Sequence, residues 1–86
     1  YKNDEQLKQI DSIIDKFSIG WSVDRLSTVD KAILRIAVYE IMFDDDIPNK
    51  VSVNEAVELA KEFSEDKAPS FINGVLGKVV RYKEAN

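Results

Sequence analysis

S-T-V-D-K-A-I-L-R-I-A-V-Y-E-I-M-F, from Ser27 to Phe43, is the stretch that decides the fold class. Ser27 is followed three residues later by Asp30, which resembles a capping box with Asp in place of the usual Glu, so a helix is expected to open here. Ala32, Ile33, Leu34, Ile36, Ala37, Val38, Ile41 and Met42 then leave little purely polar circumference. A helix of that kind packs on more than one side. Asp44, Asp45 and Asp46 end it, because carboxylates at a helix carboxyl end oppose its dipole, and Ile47-Pro48 requires extended or turn backbone.

Outward from this segment the chain reads as more helix. Leu7, Ile10, Ile13, Ile14 and Phe17 recur at three- and four-residue spacing, which predicts a helix over Asp4–Phe17 with Asn3 or Asp4 as its cap and Gly20 as its stop. Trp21 opens a new segment against the core, and Ser22 to Leu26 has room for a single turn. Downstream, a loop of about eight residues leads to Ser52 and Glu55, a second capping-box pattern in which loss of the Ser52 hydroxyl would cost about 1 kcal/mol. Val53, Ala56, Val57, Ala60 and Phe63 mark the inward stripe of a third helix. Pro69 suits the first turn of a fourth, with Phe71, Ile72, Val75, Leu76, Val79 and Val80 as its apolar face. Gly74 and Gly77 inside it each cost roughly 0.5–1 kcal/mol relative to Ala, so they are expected to mark close approach of a neighbouring backbone. The predicted class is all-α: four main helices plus one short turn, with no internal repeat and no linker.

Eighty-six residues suit one small domain, and such a chain buries roughly 60–65% of the surface its unfolded form exposes. Hydrophobic content of 44% with 33% charge describes a folding chain. It contains neither cysteine nor histidine, which removes thiolate nucleophiles, disulfides, zinc sites and the commonest neutral-pH proton shuttle. No nucleophile stands beside a base, and there is no glycine-rich phosphate loop. Catalysis and cofactors are not expected. The longest apolar run, Ala32 to Val38, is broken by Arg35 and falls far short of the ~20 residues that span a bilayer, so a cytoplasmic protein is the default. Net charge is −4, which taken alone argues against nucleic acid.

Four groups of side chains invite a role. Arg35, in the most apolar part of the chain, is expected to pair with a carboxylate such as Glu55 or Glu58, or to reach solvent by its stem, rather than to grasp a ligand. Asp44, Asp45 and Asp46 lack the alternating ligands of a calcium loop and read as a solvated turn, not a metal site. Lys67, Lys78, Arg81 and Lys83, with Phe71 and Tyr82, form either a basic strip with aromatic faces for single-stranded nucleic acid or a cationic helix end. The second suits the spacing better, because Phe71 belongs to the apolar stripe. Asp24, Asp30 and Glu40 form an acidic flank, complementary to a basic protein or simply solvated.

Four blocks stand in register: V-D-K-A-I-L-R-I-A-V-Y-E (Val29 to Glu40), D-D-I-P (Asp45 to Pro48), N-E-A-V-E-L-A-K (Asn54 to Lys61) and F-I-N-G-V-L (Phe71 to Leu76). With them the chain, from about Leu7 onward, resembles the carboxy-terminal part of the NusB family of transcription antitermination proteins. The resemblance implies a NusB-like helical bundle, here one domain over residues 1–86 that is a fragment of a two-bundle protein. It also implies a noncatalytic adaptor that pairs with the ribosomal protein NusE, binds boxA RNA in nascent ribosomal RNA transcripts and joins the RNA polymerase antitermination complex. Asp24 and Asp30 resemble family positions facing NusE, and Phe71 resembles an aromatic near the RNA. Lys67 stands where relatives can have an acid, and two roles are open to it: phosphate binding, or a solvated loop position.

One departure bears on RNA. The family takes much of its RNA contact from an arginine-rich amino-terminal helix, and this sequence holds none. Tyr1 in place of Met suggests a trimmed chain holding the carboxy-terminal bundle and at most the last helix of the amino-terminal one, so RNA affinity is expected to be weak. Such a bundle also exposes apolar surface that drives self-association. Similar helical domains precede the catalytic domain of some ribosomal RNA cytosine methyltransferases, an alternative against which the short polar tail Arg81 to Asn86 weighs. A third reading is an interaction module that has lost RNA recognition.

Overall fold

Apolar side chains at helical spacing build four helices: α1 (Asp4–Phe17), α2 (Thr28–Phe43), α3 (Asn49–Phe63) and α4 (Ala68–Ala85). The computed structural model describes residues 4–19 and 26–85, and no strand occurs among them. The all-α expectation holds. Gly20, Trp21 and all but Leu26 of the expected short turn lie outside the described residues.

The middle helix organises the others, because α2 packs against α1, α3 and α4. It buries Leu34, Val38 and Ile41 completely and Ile33 and Ala37 nearly so. Ile10 and Ile14 of α1, Ala56 and Ala60 of α3, and Ile72, Leu76 and Val79 of α4 complete one continuous core. Small residues on α3 let it lie close. Full removal of an Ile or Leu side chain from water is worth about 1.5–3 kcal/mol, so this cluster is the main stabilising element.

Polar contacts tie α2 to its neighbours along its length. At its start the Asp30 N–H donates to Ser27 Oγ at 3.1 Å, so Ser27 caps the helix as the sequence predicts. The Asp30 carboxylate turns instead to the end of α3 and accepts from Ser64 Oγ at 2.5 Å. In the middle, Arg35 Nε and the guanidinium Nη2 donate to Asp11 Oδ1 and Oδ2, both at 2.8 Å. The expected partners Glu55 and Glu58 are therefore replaced by a residue of α1, and Glu58 pairs with Lys61 on its own helix at 2.9 Å. Helix α2 has no basic residue in its last turn. Lys83 of α4 supplies one from outside, donating to the Ile41 carbonyl and to Asp45 Oδ1, where a cation offsets the negative end of the dipole.

Several expectations are corrected. Helix α3 begins at Asn49 with Pro48 at its cap position, so the preceding connection is shorter than expected and Ser52 is not a cap. Pro48 has its φ already set for a helix start, and its carbonyl accepts from Val51 N–H at 2.9 Å and Ser52 N–H at 3.3 Å. Ser52 lies inside the helix, 1% exposed, with no hydrogen-bond partner for its hydroxyl. Phe63, at the last position of α3, is 62% exposed, and Ile36 on the outer side of α2 is 53% exposed. The glycines mark no close approach: a Cβ on Gly74 would meet nothing within 4 Å, and one on Gly77 would meet only the Arg81 guanidinium at 3.7 Å. Between α1 and α4, the Phe17 and Tyr82 rings lie 5.5 Å apart, with Lys16 Nζ 4.5 Å from the Tyr82 centroid, a cation–π contact.

Three sets of substitutions test this packing. Asp11→Ala removes both acceptors from a guanidinium that is only 26% exposed and should lower unfolding stability in urea by about 1–3 kcal/mol, with Glu55→Ala and Glu58→Ala nearly neutral. Gly74→Ala should raise the melting temperature, since the helix gains about 0.5–1 kcal/mol and no neighbour is disturbed. Ser52→Ala should be neutral or stabilising, the opposite of what a cap would show.

Candidate functional site

Four hydrogen bonds, one of them between Ser64 and Asp30, shape the place where the start of α2, the end of α3 and the start of α4 meet. Ser64 follows α3 with its N–H on Ala60 O at 2.9 Å, and its hydroxyl reaches Asp30 as described. The chain then turns: Ala68 N–H donates to Glu65 O at 3.0 Å, and Phe71 N–H to Lys67 O at 3.2 Å as α4 begins. Pro69, which has no N–H, occupies the first turn, where a donor would be unsatisfied in any case.

These elements enclose a groove of about 540 Å³ lined by Leu26, Ser27, Asp30, Glu65, Lys67, Ala68 and Phe71. The volume is in the range of small-molecule and side-chain pockets. Phe71, partly buried against the core, lines the groove together with the apolar Leu26 and Ala68. Asp30, Glu65 and Lys67 line it as well, none in an ion pair with another. An aromatic face, one cation, two carboxylates and hydroxyls are recognition chemistry. Among the described residues no group of three or more Asp or Glu side chains is gathered as a metal would need, and Asp44 Oδ1 instead accepts from Asp46 N–H at 3.1 Å within the turn.

The residues singled out from sequence divide clearly. Asp30, Lys67 and Phe71 line one groove, although they are far apart in the chain. Asp24 lies outside the described residues. The basic strip does not form as one surface: Lys83 is drawn back to the end of α2, and Tyr82 stacks toward Phe17. Glu65 and Ser64 were not recognised beforehand. A polar loop S-E-D-K carries no periodicity, and only the folded chain shows Ser64 meeting Asp30. No described helix is long and apolar enough to cross a membrane.

The NusB family model matches residues 4–81. The transcription antitermination protein NusB of Natranaerobius thermophilus is 58% identical over 78 residues, covering 91% of this chain and 56% of that protein. Its counterpart in Acetivibrio thermocellus is 57% identical over 83 residues, covering 96% of this chain and 55% of that protein. The solved structure of T. maritima NusB superposes with a TM-score of 0.84 at 40% identity, over 90% of this chain and 54% of that one. The chain thus spans about half the length of the relatives it matches.

Ser64 is the test of how this groove is held. Ser64→Ala leaves the Asp30 carboxylate without its described partner and should cost about 1 kcal/mol. Amide hydrogen exchange should rise across Glu65 to Ala68 while the centre of α2 stays protected.

Proposed function

Because the chain belongs to the NusB family, we propose that it acts as a noncatalytic adaptor in transcription antitermination, binding the ribosomal protein NusE and boxA RNA. The reading takes residues 1–86 as one helical domain that meets both partners. Asp30, with Asp24, faces the protein, and Lys67 and Phe71 face the RNA. The observation that carries it is the groove itself, in which Asp30 stands among the same lining residues as Lys67 and Phe71. An adaptor needs its two partners to touch, and one shared groove provides for that.

Charge supports the order of assembly. A chain of net charge −4 gains little from encounter with a polyanion, whereas a basic protein bound first supplies the missing field. Mixing the chain with NusE and a boxA RNA should give a ternary complex that dissociates as salt is raised. Lys67→Ala should weaken RNA in that complex and reduce the slope of log affinity against log salt by about 0.7, as for one lost contact to a single strand. Absence of any complex at low salt would overturn the reading.

A further inference from the structure

Four residues, Ser64 to Lys67, connect α3 to α4, and the last three of them are exposed. Among the described residues, Ser64 alone in this connection makes a side-chain bond to another element, its Oγ donating to Asp30 Oδ1 at 2.5 Å. Its reach comes from the backbone. Ser64 leaves the helix in an extended conformation, φ −119° and ψ −175°, while its N–H still closes the last turn on Ala60 O at 2.9 Å. The acceptor is a firm anchor, because Asp30 lies in the first turn of α2 with its own N–H held by Ser27 Oγ. At the far end Ala68 is buried, and the Lys67 carbonyl accepts from Phe71 N–H at 3.2 Å as α4 starts. The Ser64 bond therefore sets the direction in which the connection leaves α3, three residues before Lys67.

We propose that Ser64 is a positioning residue for RNA binding: through its bond to Asp30 it holds residues 65–67 in place, so that Lys67 meets phosphate without the loop first having to be ordered. The inference rests on the adaptor reading, which sets Lys67 on the RNA, and adds to that contact a residue that touches no RNA itself. A loop already held loses less conformational entropy when it binds, and affinity rises accordingly. Ser64 carries no charge, so it changes how often Lys67 stands in place and leaves the number of neutralised phosphates as it was. Salt separates these two effects, because the slope of log affinity against log salt follows the phosphates neutralised. Loss of the hydroxyl also leaves the charge of Asp30 unchanged, so the protein contact keeps its electrostatic part.

The experiment titrates NusE and a single-stranded boxA RNA against the whole chain and its variants at several salt concentrations. Ser64→Ala should weaken RNA in the ternary complex about threefold to tenfold and leave affinity for NusE alone within about twofold. Its salt slope should stay that of the wild type, unlike the slope of Lys67→Ala. Ser64→Thr keeps the hydroxyl and suits extended backbone, so it should restore RNA affinity. In a Lys67→Ala background, Ser64→Ala should add little, since the residue it acts through is gone. Amide exchange of the free chain reads the latch without any partner, and over residues 65–67 it should rise in Ser64→Ala and not in Ser64→Thr. Equal loss for NusE and RNA, a lowered salt slope, no rescue by threonine, or full additivity with Lys67→Ala overturns the proposal. So does unchanged exchange in Ser64→Ala. If the wild-type complex forms and Ser64→Ala holds RNA as tightly, only the positioning role falls. If exchange responds as expected but the wild-type chain forms no complex, the adaptor reading falls and takes this role with it.

Discussion

Burial of α2 on three sides is the constraint from which the rest of the structure follows. A helix that carries Leu34, Val38 and Ile41 fully buried, with Ile33 and Ala37 close to it, is unstable in water until other helices cover those faces. Covering them decides where α1, α3 and α4 lie. It also makes the polar residues of α2 consequential. Arg35 sits in that helix with a quarter of its side chain exposed, so its charge must be met from a neighbour, and Asp11 meets it with two hydrogen bonds. A buried charge left without a partner would be strongly destabilising.

The polar contacts of α2 divide the labour along its axis. Arg35 holds α1 at the middle, Lys83 of α4 holds the carboxyl end, and Asp30 holds the end of α3 at the start. Hydrophobic burial is non-directional and sets only how much surface is hidden. Hydrogen bonds of defined geometry choose among the arrangements that hide it. The contact at the start of α2 does more than select the arrangement, because it fixes one carboxylate on the wall of the groove.

Much of this was legible in the residues. Asp4 to Phe17 and the span ending at Phe43 follow from apolar periodicity, and Ser27 is a cap because a serine with a carboxylate three residues later precedes an apolar run. The same rule misread Ser52, since S-x-x-E also occurs inside a helix already started by a proline four residues earlier. Local patterns report how a segment is made, not what it touches. Asp11 is 24 positions from Arg35, and no periodicity relates them. Gly74 and Gly77 suggested a neighbour that the fold does not place there. The groove is the same kind of fact: Asp30 and Lys67 belong to separate blocks of sequence, and Ser64, which joins their elements, has nothing in its local context to distinguish it.

On the adaptor reading, the groove also bears on how an acidic chain would take part in recognising nucleic acid. Long-range attraction to phosphate scales with net charge, and screening confines what remains to within about 8 Å at physiological salt. Twelve basic residues against sixteen acidic ones leave the chain at −4, and one of the cations on α4, Lys83, is already engaged at the end of α2. On the adaptor reading, the acids are the means by which RNA is reached. A basic partner seated against Asp30 would neutralise a carboxylate that repels phosphate and bring its own cations beside Lys67. Binding of the first partner then raises affinity for the second, and linkage requires the reverse as well. Neither partner has to change the conformation of the helices for this coupling to arise, because it is carried by charge at a shared surface.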